Sequence, residues 1–328
     1  MRLTAKQQNV LGALEHHAEL PISDIARGLR MRSHNVRYQL ESLKVKGLVV
    51  AKTPFIDIYR LGYTDFTVFF TVSTDSKATR TKLLEYFLNN ENVSWVAHLG
   101  GEYQYGVSVL ARHVVKVHEL LLEAAHKFGN IFAEKGISIR ISFHAFGRKY
   151  LNQSTKLARK TLTFEVGSTV ECDATDRRIL AHIANEPFES LRALARDLDL
   201  AFATLNSRIK RLEKAGVIPG YIYRLRLSDL GALTYRILIY GRGIDQELSK
   251  KLYDYAKKHP HILHFIECVG AWDFELGLEI YSSEQLNEVL GQLYDNFGGS
   301  IGAVKTLQIF KHLKYSGYPF SETKSSSS

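Results

Sequence analysis

Apolar residues recur at helical spacing near the start of the chain, in three successive stretches separated by polar residues. Thr4 precedes the first stretch and Gln7 follows it by three positions, which is the pattern of an N-terminal capping box. Ser33 is the expected N-cap of the third stretch, and Gly47 marks its end. The pattern predicts three short helices built on Val10, Leu11 and Leu14, then Ile22, Ile25, Ala26 and Leu29, then Val36, Leu40 and Leu43.

The same pattern returns in the middle of the chain. Asp173 and Ser190 are the expected N-caps of the first two helices, and Gly216 ends the third. The apolar positions are Ile179, Leu180 and Ile183, then Leu191, Leu194, Ala195 and Leu198, then Leu205, Ile209 and Leu212. Short β-forming runs follow each set, at 48–52 and 55–60 in the first and at 217–223 in the second. Three helices and a small β element are the outline of a winged helix-turn-helix, whose third helix enters the major groove of DNA.

Each set of helices precedes a stretch in which strand and helix patterns alternate. In the first, strands are predicted at 67–72, 93–99, 103–110 and 137–146, with helices at 83–88 and 114–128. In the second, strands are predicted at 235–240, 262–269, 272–280 and 303–312, with helices at 248–257 and 283–296. The order βαββαβ is that of a ferredoxin-like domain. The predicted fold class is therefore α+β, a tandem repeat of a winged helix-turn-helix and a ferredoxin-like domain.

Individual residues confirm that the chain contains a repeat. Leu11 recurs as Leu180, 169 residues later, and Gly101 recurs as Gly270 in the same register. A solenoid repeat has a much shorter period, of about 20–50 residues. We therefore expect two copies of a two-domain module, with winged helices at 1–60 and 171–226 and ferredoxin-like domains at 61–147 and 227–316. A basic linker is expected at 148–170 and a disordered tail at 317–328.

Composition narrows the class of protein. The 328-residue chain has a formal net charge of +9, which favours a polyanionic partner. Two cysteines, Cys172 and Cys268, do not occupy equivalent positions in the repeat, which argues against a disulfide framework and for a reducing, cytoplasmic setting. No apolar run is long enough to span a bilayer, so no membrane association is expected.

The outward positions of the two third helices are the candidate DNA-binding residues. Asn, Gln and Arg side chains can make bidentate contacts to base edges, and hydroxyls can contact bases or phosphates. Such positions are also polar on any amphipathic surface helix, which is the alternative reading. The candidates are Thr204, Asn206, Ser207, Arg208, Lys210 and Arg211 in the second copy, and His34, Asn35, Arg37, Tyr38 and Gln39 in the first.

Three segments of the second copy carry a family resemblance: 173–180, 194–198 and 208–221. They resemble the DNA-binding domain of the Lrp/AsnC, or feast/famine, transcription regulators. The resemblance implies sequence-specific binding of double-stranded DNA, a ferredoxin-like regulatory (RAM) domain and assembly into oligomers. The first copy keeps the apolar skeleton but has Glu41 and Ser42 where the second has Lys210 and Arg211. The third helix of the second copy is therefore expected to bind DNA more strongly than the third helix of the first copy.

The resemblance also implies an effector region, for an amino acid or related metabolite, at the turn between the middle strands. Glycine there permits a positive-φ turn and offers backbone N–H groups to a carboxylate. A plain β-hairpin with a self-capping Asp explains the same pattern equally well. The candidate residues are Gly270, Trp272 and Asp273, with Gly101 and Tyr103 in the first copy, where Gln104 replaces Asp.

Other chemistry is weakly indicated. His264 and Cys268 would share one face of a strand, but Glu267 would point to the other, so no metal site is predicted. No cofactor motif or catalytic signature occurs, and we expect a protein that is not an enzyme. The alternative is a sirohaem decarboxylase, a group that resembles this architecture and also occurs as fused two-copy chains. The resemblance would then implicate His and Arg near the middle strands, where this chain offers only His98.

The duplication itself predicts an assembly. The two regulatory domains of one chain are expected to pair as an intramolecular pseudo-dimer, replacing the homodimer of single-module relatives. Further association into homo-oligomers is also expected.

Overall fold

The computed structural model describes residues 3–15, 17–74, 76–151, 157, 160–186, 190–243 and 246–320. These residues divide into two compact units. Unit 1 comprises 1–52, 142–163 and 220–310, and unit 2 comprises 53–141, 164–219 and 311–328. Residues 152–156, 158 and 159 of the predicted basic linker, and the part of the predicted tail beyond 320, lie outside the described residues. The predicted domain boundaries stay predictions.

The helices and strands follow the order expected from the sequence. The first repeat contains α1 (Ala5–Leu14), α2 (Ile22–Leu29), α3 (Ser33–Val45), β1 (Val49–Phe55), β2 (Thr64–Val72), α4 (Lys77–Leu88), β3 (Val93–Gly100), β4 (Tyr105–Ala111), α5 (Val114–Phe128) and β5 (Phe132–Ala145). A short strand and the second repeat follow as β6 (Leu162–Glu165), α6 (Ala174–Asn185), α7 (Leu191–Asp197), α8 (Phe202–Lys214), β7 (Gly220–Leu225), β8 (Leu233–Gly241), α9 (Gln246–Lys258), β9 (Ile262–Gly270), β10 (Phe274–Ile280), α10 (Ser283–Phe297) and β11 (Ile301–Tyr315). One-turn 3₁₀ helices lie at Lys149–Leu151 and Ser228–Leu230.

Unit 1 combines the first winged helix with the second ferredoxin-like domain. Its antiparallel sheet has the strand order β11–β8–β10–β9, the order of a ferredoxin-like fold. Buried apolar residues of β8, β9 and β10 pack against α9 and α10. The core of α1, α2 and α3 takes in Leu227, with Tyr223 and Leu225 packed against it. Side chains from the second repeat therefore complete the core of the first winged helix.

Unit 2 has the reciprocal composition. The strand order β5–β2–β4–β3 repeats the ferredoxin-like arrangement, with α4 and α5 packed on one face. The N–H of Asp57 donates to Val217 O at 2.9 Å, so the first repeat contacts the second winged helix. The equivalent bond in unit 1 joins Arg226 N–H to Leu48 O, also at 2.9 Å. Both bonds connect positions that the 169-residue period relates, so each unit makes the same exchange.

Three local features differ from the expectations. Residues 58–60 form a turn instead of a strand, because the Asp57 carboxylate accepts hydrogen bonds from the N–H groups of Tyr59 and Arg60. Ser33 is the first residue of α3, and Arg32 is its N-cap. Residues 317–320, assigned to the tail, pack in unit 2, where Tyr318 is only 2% exposed and contacts Phe320.

Candidate nucleic-acid interface

The third helix of the second winged helix has two distinct faces. Leu205, Ile209 and Leu212 are buried in the three-helix core. The opposite face contains the six predicted contacts, of which Asn206 and Arg208 are half-buried and Thr204, Ser207, Lys210 and Arg211 are exposed. The helix begins after a tight turn at Asp199, whose φ of 54° is left-handed. The sequence-predicted residues therefore do lie together on one accessible face.

The third helix of the first winged helix is arranged in the same way. Val36, Leu40 and Leu43 are buried. Arg30 occupies the tight turn before the helix with a φ of 53°, at the position equivalent to Asp199. The predicted contacts His34, Asn35, Arg37 and Tyr38 are exposed, Tyr38 by 70%, and Gln39 is half-buried.

Two of the predicted DNA-binding arginines are held by carboxylates of their own domain. Arg208 Nη1 lies 2.8 Å from Asp173 Oδ2 and 3.0 Å from Asp176 Oδ1, and Arg211 is hydrogen-bonded to Asp176. These bonds raise the pKa of both arginines above the usual value. Asp173 and Asp176 also form the capping box of α6, and Asp176 is 0% exposed. The four side chains line a cleft of about 700 Å³ beside the N-terminal half of α8.

The equivalent positions of the first copy are neutral. Thr4 and Gln7 form the capping box of α1, where the second copy has the two aspartates. Gln39 and Ser42 stand where the arginines stand. The second copy therefore has two negative and two positive charges at positions where the first copy has four neutral residues.

A further exchange of charge occurs one turn along the helix. In the first copy Glu41 pairs with Lys44 Nζ at 2.8 Å. The equivalent residues of the second copy are Lys210 and Glu213, with the signs reversed. The sequence comparison of Lys210 and Arg211 with Glu41 and Ser42 therefore overstates the difference in net charge between the two helices.

The predicted effector turns have a structural role in both copies. Asp273 Oδ2 accepts a hydrogen bond from Gly241 N–H at 2.7 Å, which joins the turn to the end of β8. Gln104 Oε1 accepts one from Val72 N–H at 3.2 Å, at the equivalent place in the repeat. Gly270 and Gly101 are exposed and have positive φ, as expected.

The aromatic side chains of these turns point inward. Trp272 is 1% exposed and donates from Nε1 to Glu275 Oε1 at 3.1 Å. Tyr103 is also buried, with its ring 6.0 Å from that of Phe69. An effector at either turn would therefore contact mainly backbone and the edge of the turn.

Unit 1 contains a buried ionic cluster that the sequence pattern does not predict. Arg148, which lies in the predicted basic linker, donates from Nε to Glu279 Oε1 at 2.5 Å and from its backbone N–H to Glu15 Oε2 at 2.7 Å. Burial alone lowers the pKa of Arg148, but the carboxylates of Glu15 and Glu279 hold it well above its usual value. Tyr150 donates to Glu279 Oε1 at 2.5 Å. A run of cations in a sequence carries no signal for such long-range partners.

Other candidate chemistry is placed as follows. Within the described ranges, no three His, Cys, Asp or Glu side chains come together as metal ligands. Burial and then the charge of Lys311 lower the pKa of His98. The Nε2 atom of His98 is buried and has no hydrogen-bond partner among the residues described. No described helix combines the length and apolar character that a bilayer span requires.

Comparison with known proteins identifies the family. Residues 173–218 match the family model described as a winged helix-turn-helix DNA-binding domain. An uncharacterized HTH-type transcriptional regulator of Pyrococcus furiosus is 30% identical over 119 residues, covering 36% of this chain and 78% of the relative. The HTH-type transcriptional regulator FL11 of the same organism is 28% identical, covering 40% of this chain and 83% of FL11. The chain belongs to the Lrp/AsnC family of transcription regulators. As a member, it is a DNA-binding transcription regulator in tandem-duplicated, fused form.

A solved structure shares the fold over nearly the full length. The sirohaem decarboxylase NirDL, crystallised with an iron-uroporphyrin III analogue, superposes with a TM-score of 0.61. The match covers 97% of this regulator and 94% of NirDL, at 12% sequence identity. Identity at that level shows a common fold only.

Proposed function

We propose that the regulator binds double-stranded DNA with α3 and α8, each as the helix that enters the major groove. The observation that carries this proposal is the two-faced third helix, with a fully buried apolar side and an accessible polar side. It occurs in both copies, and in the second it lies within the segment that matches the DNA-binding family model. The predicted contacts of both copies are the side chains that would meet base edges and phosphates.

In vitro selection of bound DNA by the full chain tests this proposal. We expect enrichment of a specific double-stranded sequence. Binding measured by gel shift should weaken steeply between about 50 and 200 mM salt as phosphate contacts are screened. Absence of any shift at about 50 mM salt, where phosphate contacts are strongest, would overturn the proposal.

The finer assignments belong to the same proposal. An amino acid or related metabolite binds at Gly270, Trp272 and Asp273, and at Gly101 and Tyr103, and changes the affinity for DNA. Gly270 and Gly101 are exposed and have positive φ, which supports an anionic ligand at these turns. The two regulatory domains act as a pseudo-dimer, and chains associate further in the cytoplasm. Repeating the DNA selection with amino acids present tests the effector, and the solution mass tests association.

The decarboxylase alternative is favoured by one observation, the fold likeness to NirDL across almost the whole chain. Against it, the middle strands of unit 2 offer His98 with no arginine in the stretch 93–105. Adding sirohaem should therefore give no porphyrin absorbance band on the protein and no loss of carboxylates. A bound band together with decarboxylated product would establish the enzyme instead.

A further inference from the structure

The third helix of each winged helix, taken with the turn before it, is the segment that would recognise DNA. The two segments differ most in the charged residues of their N-terminal halves. Residues 30–38 contain three arginines and no acidic residue, whereas residues 199–207 contain one aspartate and neither lysine nor arginine. In a helix-turn-helix the N-terminal residues of the recognition helix are those that enter the groove. The difference therefore falls where DNA is approached most closely.

The arginines of the first copy are available for an external anion. Arg30, Arg32 and Arg37 are exposed, and none has a side-chain partner among the residues that the structure describes. In the second copy the first cation of the recognition helix is Arg208, which Asp173 and Asp176 already hold. A guanidinium with two carboxylate partners must exchange them for a phosphate, so its net gain from DNA is small.

Lysines farther along the two helices do not compensate for this difference in positive charge. Lys210 and Lys214 in the second copy, and Lys46 in the first, are exposed near the C-terminal ends. Lys210 lies eight residues into α8, about 12 Å along the axis from its start. Such residues can touch flanking phosphates but lie away from the end that enters the groove.

We infer that the first winged helix makes most of the phosphate contacts, through Arg30, Arg32 and Arg37. This inference rests on the proposed DNA-binding function and reverses the asymmetry expected from the sequence. The N-terminal half of α8, in the second winged helix, presents Thr204, Asn206 and Ser207. These side chains are neutral, so they can form hydrogen bonds to DNA but add little electrostatic attraction. The partner is double-stranded DNA. Its phosphates are bound mainly by the first winged helix, and its bases are contacted by both winged helices.

A salt titration of DNA affinity tests the assignment in the full-length chain, with DNA from the selection as probe. The variant Arg32→Ala with Arg37→Ala should lose about tenfold or more in affinity at about 150 mM salt. The slope of log K against log salt should become shallower by about 0.9 for each phosphate contact removed. Both side chains are exposed, so thermal unfolding should be unchanged.

A charge-neutral variant of the second copy is the matched control. Asp173→Thr, Asp176→Gln, Arg208→Gln and Arg211→Ser together install the residues that the first copy has at these positions. Arg208 and Arg211 are themselves predicted contacts, so affinity should fall, but by less than in the Arg32 and Arg37 variant, because the four changes remove two charges of each sign and leave the net charge unchanged. The slope should likewise change less than in that variant. A loss equal to or greater than that of the Arg32 and Arg37 variant would overturn the inference.

A transplant keeps the test decisive if the control variant does not fold. Asp199→Arg with Asn206→Arg places arginines at the positions of Arg30 and Arg37, and the left-handed backbone at 199 matches that at 30. Affinity should rise about tenfold and the slope should steepen by up to about 2. An unchanged slope would contradict the inference. Failure of the unaltered protein to bind any DNA would instead reject the proposed function itself.

Discussion

At the scale of single residues, unit 1 contains ionisable groups that the fold has withdrawn from water. His259 is one of them: its Nδ1 accepts a hydrogen bond from His261 N–H at 3.2 Å, and its ring packs 5.5 Å from that of Tyr255. Burial, then the positive charges of His261 and Lys149, lower the pKa of His259 to about 4. The folded state therefore requires the neutral imidazole.

The sign of the resulting pH dependence is defined. An unfolded histidine has a pKa of about 6.5, so the unfolded chain binds more protons between about pH 6.5 and 4. The contribution of His259 is complete above pH 6.5 and is lost as the pH falls towards 4. His259→Asn keeps an acceptor for the His261 N–H and cannot be protonated in this range.

Denaturant unfolding at about pH 7 and about pH 5 measures this effect. The wild-type chain should lose about 1 kcal/mol more than His259→Asn, after allowance for partial exposure of the ring. Equal losses in the two proteins would mean that the imidazole is not held neutral by the fold.

At the scale of elements, the effector turns show how two different residues can do the same work. Asp273 binds Gly241 N–H and Gln104 binds Val72 N–H, at positions related by the repeat. The glutamine has one more methylene group and reaches the same backbone donor. The replacement of Asp by Gln in the first copy therefore does not by itself show that the turn has lost a function.

Substitutions at Asp273 separate the structural role from effector binding. Asp273→Ala leaves the Gly241 N–H without its acceptor and should cost about 1–2 kcal/mol of stability by denaturant unfolding. Asp273→Asn retains an acceptor and should cost less than half of that. If the carboxylate also binds an effector amino group, both substitutions should abolish the response of DNA binding to amino acids. Asp273→Asn should do so with little loss of stability. Equal stability of the Ala and Asn variants would contradict the structural role.

The sequence predicts most elements because their signals are local. Helical periodicity and the capping residues Thr4, Asp173 and Ser190 place the helices, and each of the three makes its cap. The strand expected at 55–60 is wrong because one side chain, Asp57, bonds to the following backbone. The partners of Arg208 are missed because they lie on another helix, 32 and 35 positions earlier in the chain, where no periodic pattern extends.

At the scale of the whole molecule, the repeat divides the chain differently from its folding units. Each unit combines the winged helix of one repeat with the ferredoxin-like domain of the other. Hydrophobic periodicity cannot reveal such an exchange, since a helix buries the same face against either copy. The sequence thus predicts which domains exist but not which of them pack together.

The exchange predicts that neither repeat is stable alone. In unit 1, Leu227 is buried in the core of the first winged helix, and Tyr223 N–H donates to Glu15 O at 3.2 Å. A fragment of residues 1–156 loses these partners and exposes the apolar surface that they cover. Removing one large buried side chain costs about 2–5 kcal/mol, which is comparable with the stability of a small domain.

Separate and joint preparation of 1–156 and 157–328 tests this. Each fragment alone should unfold without a sharp transition near the melting temperature of the intact chain. An equimolar mixture should recover that transition and give the mass of a one-to-one complex, because the exchanged segments can then meet in both units. A fragment 1–156 that melts cooperatively as a monomer, at the temperature of the full chain, would show that its winged helix needs nothing from the second repeat. The period of 169 residues would then describe two independent modules, and the packing of Tyr223, Leu225 and Leu227 would add little to stability.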